Sequence, residues 1–284
     1  MKKPPFRALT LLWHRLTGSK TVTLAGVRLH TDAGRVPRSL QSAIFKGRYE
    51  LPERVLATRA LRKGDRVLEI GTGLGFISLL CSRLAGPGQV VSYEANPALA
   101  PIIAANYALN GLDPRLVLKA VTTDGAPVTF FQNDNVVSSS LLDRDLGARR
   151  ITVESDPINS VIDAHRPDVI VMDVEGAEIA LLTEAHLAGV RAMVVEVHPH
   201  IVGQAAIDAL LAHLAAQGFG VAQTLHKNVL LTPGRRARPC GPRRSSTWPT
   251  TPRGWPMPQR SSTRRAFPSP GWMRSMARPC ARRC

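Results

Sequence analysis

The chain has 284 residues, of which 44% are hydrophobic, and this is enough for one α/β domain with a buried core. The formal net charge of +16 is uneven, because residues 235–284 contain 13 arginines and no acidic residue, which leaves residues 1–234 with 24 basic and 21 acidic side chains. A body this close to neutral argues against nucleic acid as a partner. Only Cys81 lies in the body, so no disulfide framework is indicated and a reducing, cytoplasmic location is predicted.

Residues 1–44 are predicted to form an N-terminal extension. An apolar stretch from Leu9 to Trp13 favours a short amphipathic helix and is too short for a signal peptide or a membrane span. Residues 21–31 alternate in polarity around Ala25-Gly26, which is typical of a small hairpin. The extension is therefore expected to contain one helix and one hairpin.

Residues 45–234 are predicted to form a single doubly wound, Rossmann-like α/β domain. A helical segment over 40–61 precedes a regular alternation of strands and helices, and this alternation predicts a parallel sheet. Strands are expected near 66–71, 89–94, 115–121, 168–173, 191–197 and 227–231. Helices are expected near 75–85, 97–109, 157–164, 177–187 and 203–217. The longer segment 122–156 is predicted to be an insertion at the carboxyl edge of the sheet, where substrate-facing loops lie.

A glycine-rich turn follows the first strand of the domain, in the run Glu69-Ile-Gly-Thr-Gly-Leu-Gly75. The dinucleotide fingerprint places its third glycine three residues after the second, whereas here Gly75 follows Gly73 by two. With the acidic residue before it, this spacing favours S-adenosylmethionine over a nicotinamide cofactor. A nicotinamide-dependent oxidoreductase is kept as the alternative.

The second strand ends at a carboxylate, Glu94, 23 residues after Gly71. An acid at this point of a doubly wound sheet accepts hydrogen bonds from ribose hydroxyls. Asn96 either packs beside the cofactor or caps the helix that begins at Pro97. The predicted cofactor-binding residues are therefore Glu69, Gly71, Gly73, Gly75, Glu94 and Asn96.

Three candidate catalytic residues follow the fourth and fifth strands. Asp173 and Glu175 lie at the end of the strand predicted near 168–173, and His198 lies at the end of the strand predicted near 191–197, so all three are expected at the same edge of the sheet. One of them could accept a proton from a substrate hydroxyl. The alternatives are that Asp173 only orders its loop or the cofactor's amino group, and that His198 is a hydrogen-bonded structural residue.

Histidine and carboxylate also stand together in the run Glu196-Val-His-Pro-His200. This grouping resembles a metal-binding set, but the sequence places no further ligand beside it. No metal site is therefore predicted.

The body resembles the FkbM family of S-adenosylmethionine-dependent methyltransferases over about residues 45–231. The resemblance rests on Gly47-Arg-Tyr-Glu50, the glycine turn, Tyr93-Glu94-Ala-Asn-Pro97, residues 106–111 and 139–142, Asp173-Val-Glu-Gly-Ala-Glu178 and Glu196-Val-His-Pro199. It implies a seven-stranded methyltransferase sheet. It also implies O-methylation of a hydroxyl on a small molecule, polyketide or sugar. The sequence does not identify the acceptor or the oligomeric state.

Residues 235–284 are predicted to be disordered, because they contain no leucine, isoleucine or valine with which to build a core. Two hypotheses explain the segment. It is either a basic arm that contacts phosphate or acidic partners, as in a nucleic-acid-binding methyltransferase, or the product of reading a GC-rich gene out of frame.

Overall fold

The structure is a computed structural model that describes residues 20–32, 34–132 and 149–234. The helix predicted near Leu9, the run 139–142 and the basic tail 235–284 lie outside these residues. None of the helices in the described ranges is long and apolar enough to cross a membrane.

Strands and helices alternate through most of the described chain. The strands are β1 (Thr21–Leu24), β2 (Val27–His30), β3 (Val67–Ile70), β4 (Val90–Tyr93), β5 (Leu116–Val117), β6 (Ala120–Thr122), β7 (Val128–Gln132), β8 (Arg149–Val153), β9 (Ser155–Pro157), β10 (Val169–Met172), β11 (Ala192–Glu196), β12 (Phe219–Leu225) and β13 (Asn228–Pro233). The helices are α1 (Arg38–Phe45), α2 (Leu51–Ala60), α3 (Phe76–Ala85), α4 (Ala100–Leu109), α5 (Ile158–His165), α6 (Glu178–Glu184), α7 (Pro199–Val202) and α8 (Gln204–Ala216), and a 3₁₀ helix spans Pro97–Leu99.

The central sheet has seven strands in the order β12-β13-β11-β10-β3-β4-β5, which confirms the predicted doubly wound, seven-stranded architecture. The five strands from β11 to β5 are parallel, and β13 runs antiparallel to both of its neighbours. The chain builds outward from β3 in one direction and from β10 in the other. The direction of winding therefore changes between β3 and β10, which is where doubly wound folds bind their ligands.

Helices cover both faces of the sheet, and the alternation of side chains along each strand assigns them to a face. Val67 and Val171 belong to a buried cluster that also contains core residues of α1 to α4. Leu68 and Ile170 belong to the opposite cluster, together with core residues of α5, α6 and α8. Strands that are apolar on both faces in this way are typical of a sheet covered on both sides.

The predicted hairpin is confirmed as β1 and β2, with residues 21–24 paired to residues 27–30. Val27 and Leu29 are fully buried, and they belong to the same hydrophobic cluster as the core residues of α1 to α4. Side-chain oxygens of Asn106 and Asn110 accept hydrogen bonds from backbone nitrogens of β2, both at 2.9 Å. The hairpin is thus fixed to α4 by two asparagines.

The structure corrects two of the predicted elements and adds one strand that was not predicted. The helical segment 40–61 is broken into α1 and α2, because Gly47 and Glu50 have positive φ values of 66° and 45°. The strand predicted over 115–121 is short, since β5 ends at Val117 and β6 leaves the main sheet to pair with β9. The edge strand β12 was missed because most of its side chains are exposed, so it lacks an apolar run.

The segment 122–156 contributes two strands, β7 and β8, which pair antiparallel to each other. It also contributes β9, which pairs with β6.

Candidate active site

The glycine turn after β3 lies directly against the loop after β10. Gly71, Gly73 and Gly75 all have positive φ, at 90°, 56° and 79°. A Cβ on Gly71 would lie only 1.8 Å from the carbonyl oxygen of Asp173, so no other residue fits there. The turn and the loop, 102 positions apart in the chain, are therefore in backbone contact.

Glu94 fixes the glycine turn through hydrogen bonds to its backbone. Its Oε2 accepts hydrogen bonds from the backbone nitrogens of Thr72 and Gly73, both at 3.0 Å, and its Oε1 accepts one from Asn96 at 2.8 Å. Burial raises the pKa of Glu94, and these backbone hydrogen bonds oppose the shift. The predicted cofactor carboxylate is thus part of the framework of the glycine turn.

Two other predicted cofactor residues also lie in this framework and outside the cavity lining. Glu69 is 1% exposed, and its Oε2 accepts a hydrogen bond from the Thr72 hydroxyl at 3.0 Å. Burial raises the pKa of Glu69 to about 8, so its carboxyl group is largely protonated at neutral pH. Asn96 caps the 3₁₀ helix, with its Oδ1 accepting a hydrogen bond from the nitrogen of Ala98.

A small cavity of about 30 Å³ lies between the glycine turn, the start of α2 and the loop after β10. Its lining residues are Tyr49, Glu50, Glu53, Gly71, Thr72, Gly73, Phe76, Ile77 and Asp173. Three of the predicted site residues, Gly71, Gly73 and Asp173, share this lining. The structure also brings the pair Glu50 and Glu53 to it, which the sequence analysis missed.

The cavity wall brings three acidic residues together, of which Glu53 is buried and Glu50 and Asp173 are partly buried. Burial raises the pKa of Glu50 to about 7, with the neighbouring Glu196 adding to the shift. Burial also raises the pKa values of Glu53 and Asp173 well above the ordinary range, and each is reinforced by other carboxylates. In the described ranges none of these acids pairs with lysine or arginine. This wall therefore favours a positively charged ligand.

His198 is 2% exposed and is held by a second buried residue, Glu178. The Oε1 of Glu178 accepts a hydrogen bond from the backbone nitrogen of His198 at 3.0 Å and lies 3.3 Å from its Nδ1. Its Oε2 accepts a hydrogen bond from the nitrogen of Gly176 at 2.7 Å. Burial alone would raise the pKa of Glu178. Its hydrogen bonds, first of all the one with His198, outweigh burial and lower the pKa below its ordinary value. Glu178 is the first residue of α6, where the helix dipole favours an acid, so the sequence alone does not indicate its contact with His198.

The three candidate catalytic residues come together beside the cavity. The Nε2 of His198 lies 3.6 Å from Asp173 Oδ1, 3.8 Å from Glu175 Oε2 and 3.8 Å from Glu196 Oε1. Glu175 has a left-handed φ of 50°, a conformation that costs a non-glycine residue about 1–3 kcal/mol. A strained backbone at this point is typical of a functional loop.

Comparison with known proteins identifies the family of this chain. A family model described as "Methyltransferase FkbM domain" matches residues 69–221, more than half of the chain. The chain belongs to this family. Residues 69–221 are therefore a methyltransferase domain of Rossmann-like fold that uses S-adenosylmethionine, and the cofactor predicted from the glycine spacing is confirmed. The nicotinamide alternative does not agree with this family.

Curated relatives match shorter stretches. The chain is 33% identical over 87 residues to "Probable ribosomal RNA small subunit methyltransferase A" of Methanothermobacter thermautotrophicus, covering 31% of this chain and 29% of the relative. It is 42% identical over 59 residues to "Protein-L-isoaspartate O-methyltransferase 1" of Archaeoglobus fulgidus, covering 20% and 27%. The chain thus spans less than a third of the length of these relatives.

Similar solved structures are distant in sequence. A methyltransferase from Pyrococcus furiosus is 14% identical with a TM-score of 0.42, and the match covers 81% of this chain and 98% of that one. An rRNA methylase from Streptococcus thermophilus is 11% identical with a TM-score of 0.36, covering 64% and 94%.

Proposed function

We propose that this protein is an O-methyltransferase that transfers the methyl group of S-adenosylmethionine to a hydroxyl of a small molecule, polyketide or sugar. The observation that carries the proposal is the backbone contact between Gly71 and Asp173. This contact joins the glycine turn, which serves the cofactor, to the loop that carries Asp173 and Glu175. A methyl donor and its acceptor need to meet at such a junction.

The residues around the cavity fit the cofactor. S-adenosylmethionine carries a positive sulfonium and a positive ammonium group, and the cavity wall offers the acids Glu50, Glu53 and Asp173. Among the described residues, and apart from its own chain neighbours, only the hydroxyl of Tyr49 lies within 4 Å of the place where a Cβ would stand on Gly73, at 3.7 Å. The turn therefore leaves room for a ligand to approach its backbone. Gly71, Gly73, Gly75 and Glu94 would hold the cofactor, with Glu69 and Asn96 supporting them.

The acceptor would lie against Asp173, Glu175 and His198. When bound, S-adenosylmethionine supplies a methyl group that is already activated, so the protein's task is to align the attacking oxygen and remove its proton. The side chain of Glu175 is 42% exposed, against 30% for Asp173 and 3% for His198, and is the most accessible to a substrate. We assign Glu175 to accept the hydroxyl proton, with Asp173 and His198 aligning the oxygen.

The proposal also covers the class of methyl acceptor and the location of the protein in the cell. The near-neutral body supports a small acceptor rather than RNA, although the name of one relative specifies ribosomal RNA. A cytoplasmic location is part of the proposal and is supported by the free, buried thiol of Cys81.

Calorimetric titration of S-adenosylmethionine and S-adenosylhomocysteine into the full-length chain tests the cofactor site. We expect Glu94→Gln to weaken binding at least about tenfold, because the substituted amide loses charged hydrogen bonds worth about 1.5–3 kcal/mol. The matched control is Glu184→Gln, which changes an exposed acid on α6. Equal affinities of the two variants, or no binding by the folded wild type, would contradict the assignment.

The acceptor class is tested with a radiolabelled methyl donor and three acceptor pools: hydroxylated small molecules, carbohydrates and ribosomal RNA. Label in either of the first two supports the proposal. Label in RNA alone, with incorporation that falls steeply as salt rises, would overturn it in favour of the nucleic-acid alternative.

A further inference from the structure

We propose that Asp173, Glu196 and His198 form a binding site for one divalent transition-metal ion. The three residues lie on the ends of neighbouring parallel strands, with Asp173 after β10, Glu196 at the end of β11 and His198 two residues later. One potential ligand atom from each lies within 4.8 Å of the others. Sequence analysis had placed Glu196 beside His198, and the fold supplies the third ligand that it lacked.

The distances within the group suit a metal ion better than hydrogen bonds. His198 Nε2 is 3.6 Å from Asp173 Oδ1 and 3.8 Å from Glu196 Oε1, both beyond hydrogen-bonding distance. Donors about 2.0–2.2 Å from a tetrahedral metal ion are about 3.3–3.6 Å apart. A small inward movement of these side chains would therefore complete the coordination.

The group contains one buried oxygen without a hydrogen-bond partner among the described residues. The Oδ1 of Asp173 is inaccessible to solvent and has no hydrogen-bond donor in the part of the chain that the structure describes. His198 is 2% exposed, and it faces this oxygen with the ring nitrogen that Glu178 does not hold. A buried oxygen without a donor is costly unless a proton or a cation lies beside it.

Glu178 completes the arrangement from outside the group. Metal-bound histidines commonly direct their other ring nitrogen to a carboxylate, which fixes the tautomer and the ring orientation. The Nδ1 of His198 lies 3.3 Å from Glu178 Oε1, and Glu178 is itself fully buried. With Nδ1 protonated, Nε2 presents its lone pair toward Asp173 and Glu196.

One imidazole and two carboxylates are the donor set of manganese, iron and zinc sites with open positions. The role of such an ion rests on the proposed function: it would bind the acceptor oxygen and ease loss of its proton, while Glu175 stays free to take that proton. The existence of the site does not depend on the methyl-transfer reaction.

The test is a titration of untagged, EDTA-treated full-length protein with Mn²⁺, in which the EPR signal of free Mn²⁺ reports binding. We expect one ion per chain in the wild type and in the control Glu184→Gln. Glu196→Gln should weaken binding at least about tenfold, since even residues that only support a metal ligand are worth that much. Competition by Zn²⁺ and Mg²⁺ then identifies the preferred class of ion.

Thermal unfolding of each metal-free variant checks that it folds, and His198→Gln replaces Glu196→Gln if the latter does not. No saturable Mn²⁺ binding by the wild type, or equal binding by the ligand variant and the control, would overturn the metal site. Because the titration contains neither methyl donor nor acceptor, its failure is separate from that of the proposed function. Mn²⁺ binding without S-adenosylmethionine binding would retain the site and remove the function.

Discussion

Two carboxylates, one in each half of the proposed site, are held in opposite ways. In the cofactor half, at the ends of β3 and β4, Glu94 receives three backbone hydrogen bonds. In the acceptor half, at the ends of β10 and β11, Asp173 faces Glu175, Glu196 and an imidazole without a donor for its Oδ1. Glu94 is thus satisfied by donors within the protein, whereas Asp173 needs a proton or a cation beside its Oδ1.

This difference distinguishes a carboxylate that supports the backbone from one that is available to a ligand. Backbone donors hold Glu94 in one position, which suits a turn that must keep its shape around a cofactor. Acidic groups that lie close together without hydrogen-bond donors destabilise the fold. Such groups are typical of sites that bind a ligand or carry out a reaction. Variants that change one half at a time test this difference.

The largest effect is expected where the halves touch. Gly71→Ala places a methyl group 1.8 Å from a backbone oxygen, so the sheet itself has to move, and we expect a loss of more than about 4 kcal/mol in the free energy of unfolding. Gly64→Ala is the matched control, because Gly64 has the same φ of 90° but, in the part of the chain that the structure describes, no atom beyond its chain neighbours lies within 4 Å of the added carbon. It should cost only about 1–2 kcal/mol. Urea unfolding of both variants measures the difference, and equal losses would refute the contact.

A pH dependence is expected from Glu69 in the cofactor half. Its folded pKa of about 8 lies above its ordinary value of 4.5, so a bound proton stabilises the folded state. Stability is full below about pH 4.5, declines by up to about 1.4 kcal/mol per pH unit, and levels off above about pH 8. Glu69→Gln should flatten this decline in urea unfolding between pH 5 and 8. An unchanged slope would show that Glu69 is not the group that titrates.

The smallest effect gives the sharpest contrast, because the same change of acid to amide should have opposite signs in the two halves. Glu94→Gln removes a satisfied acceptor and should destabilise the protein by about 1–3 kcal/mol. Asp173→Asn removes a charge that the fold disfavours and should stabilise the metal-free protein by about 1–2 kcal/mol. Thermal and urea unfolding at pH 7.5 in EDTA compares them. A loss of stability in both would show that the halves do not differ.

Local patterns were enough to predict the framework. The apolar runs ending at Ile70 and Met172 located central strands, because buried parallel strands need continuous apolar sequence. Glycine spacing and Glu94 located the turn, since their roles depend on neighbours within a few residues or on the adjacent strand. The edge strand β12 was not predicted, because most of its residues are exposed and it has no continuous apolar sequence. Val221, for example, is 49% exposed.

Local sequence could not predict which acids would be buried at the site. Glu53 and Glu178 look like ordinary charges in the first turn of a helix, a place that the helix dipole favours. In the fold, Glu53 is buried in the wall of the cavity, and Glu178 is buried beside His198. The grouping of Asp173 with Glu196 likewise depends on β10 and β11 being neighbours, which only the folded sheet establishes.

The backbone contact between Gly71 and Asp173 also affects when the site can form. β3 and β10 pair with a constant offset of 102 residues, from Val67 opposite Val169 to Ile70 opposite Met172. Closing a chain segment of that length costs roughly 4 kcal/mol in loop entropy, so this pairing waits until other contacts can offset the cost. A chain still emerging from the ribosome can make the hairpin of β1 and β2 early, but it has no methyl-donor site until β10 has followed.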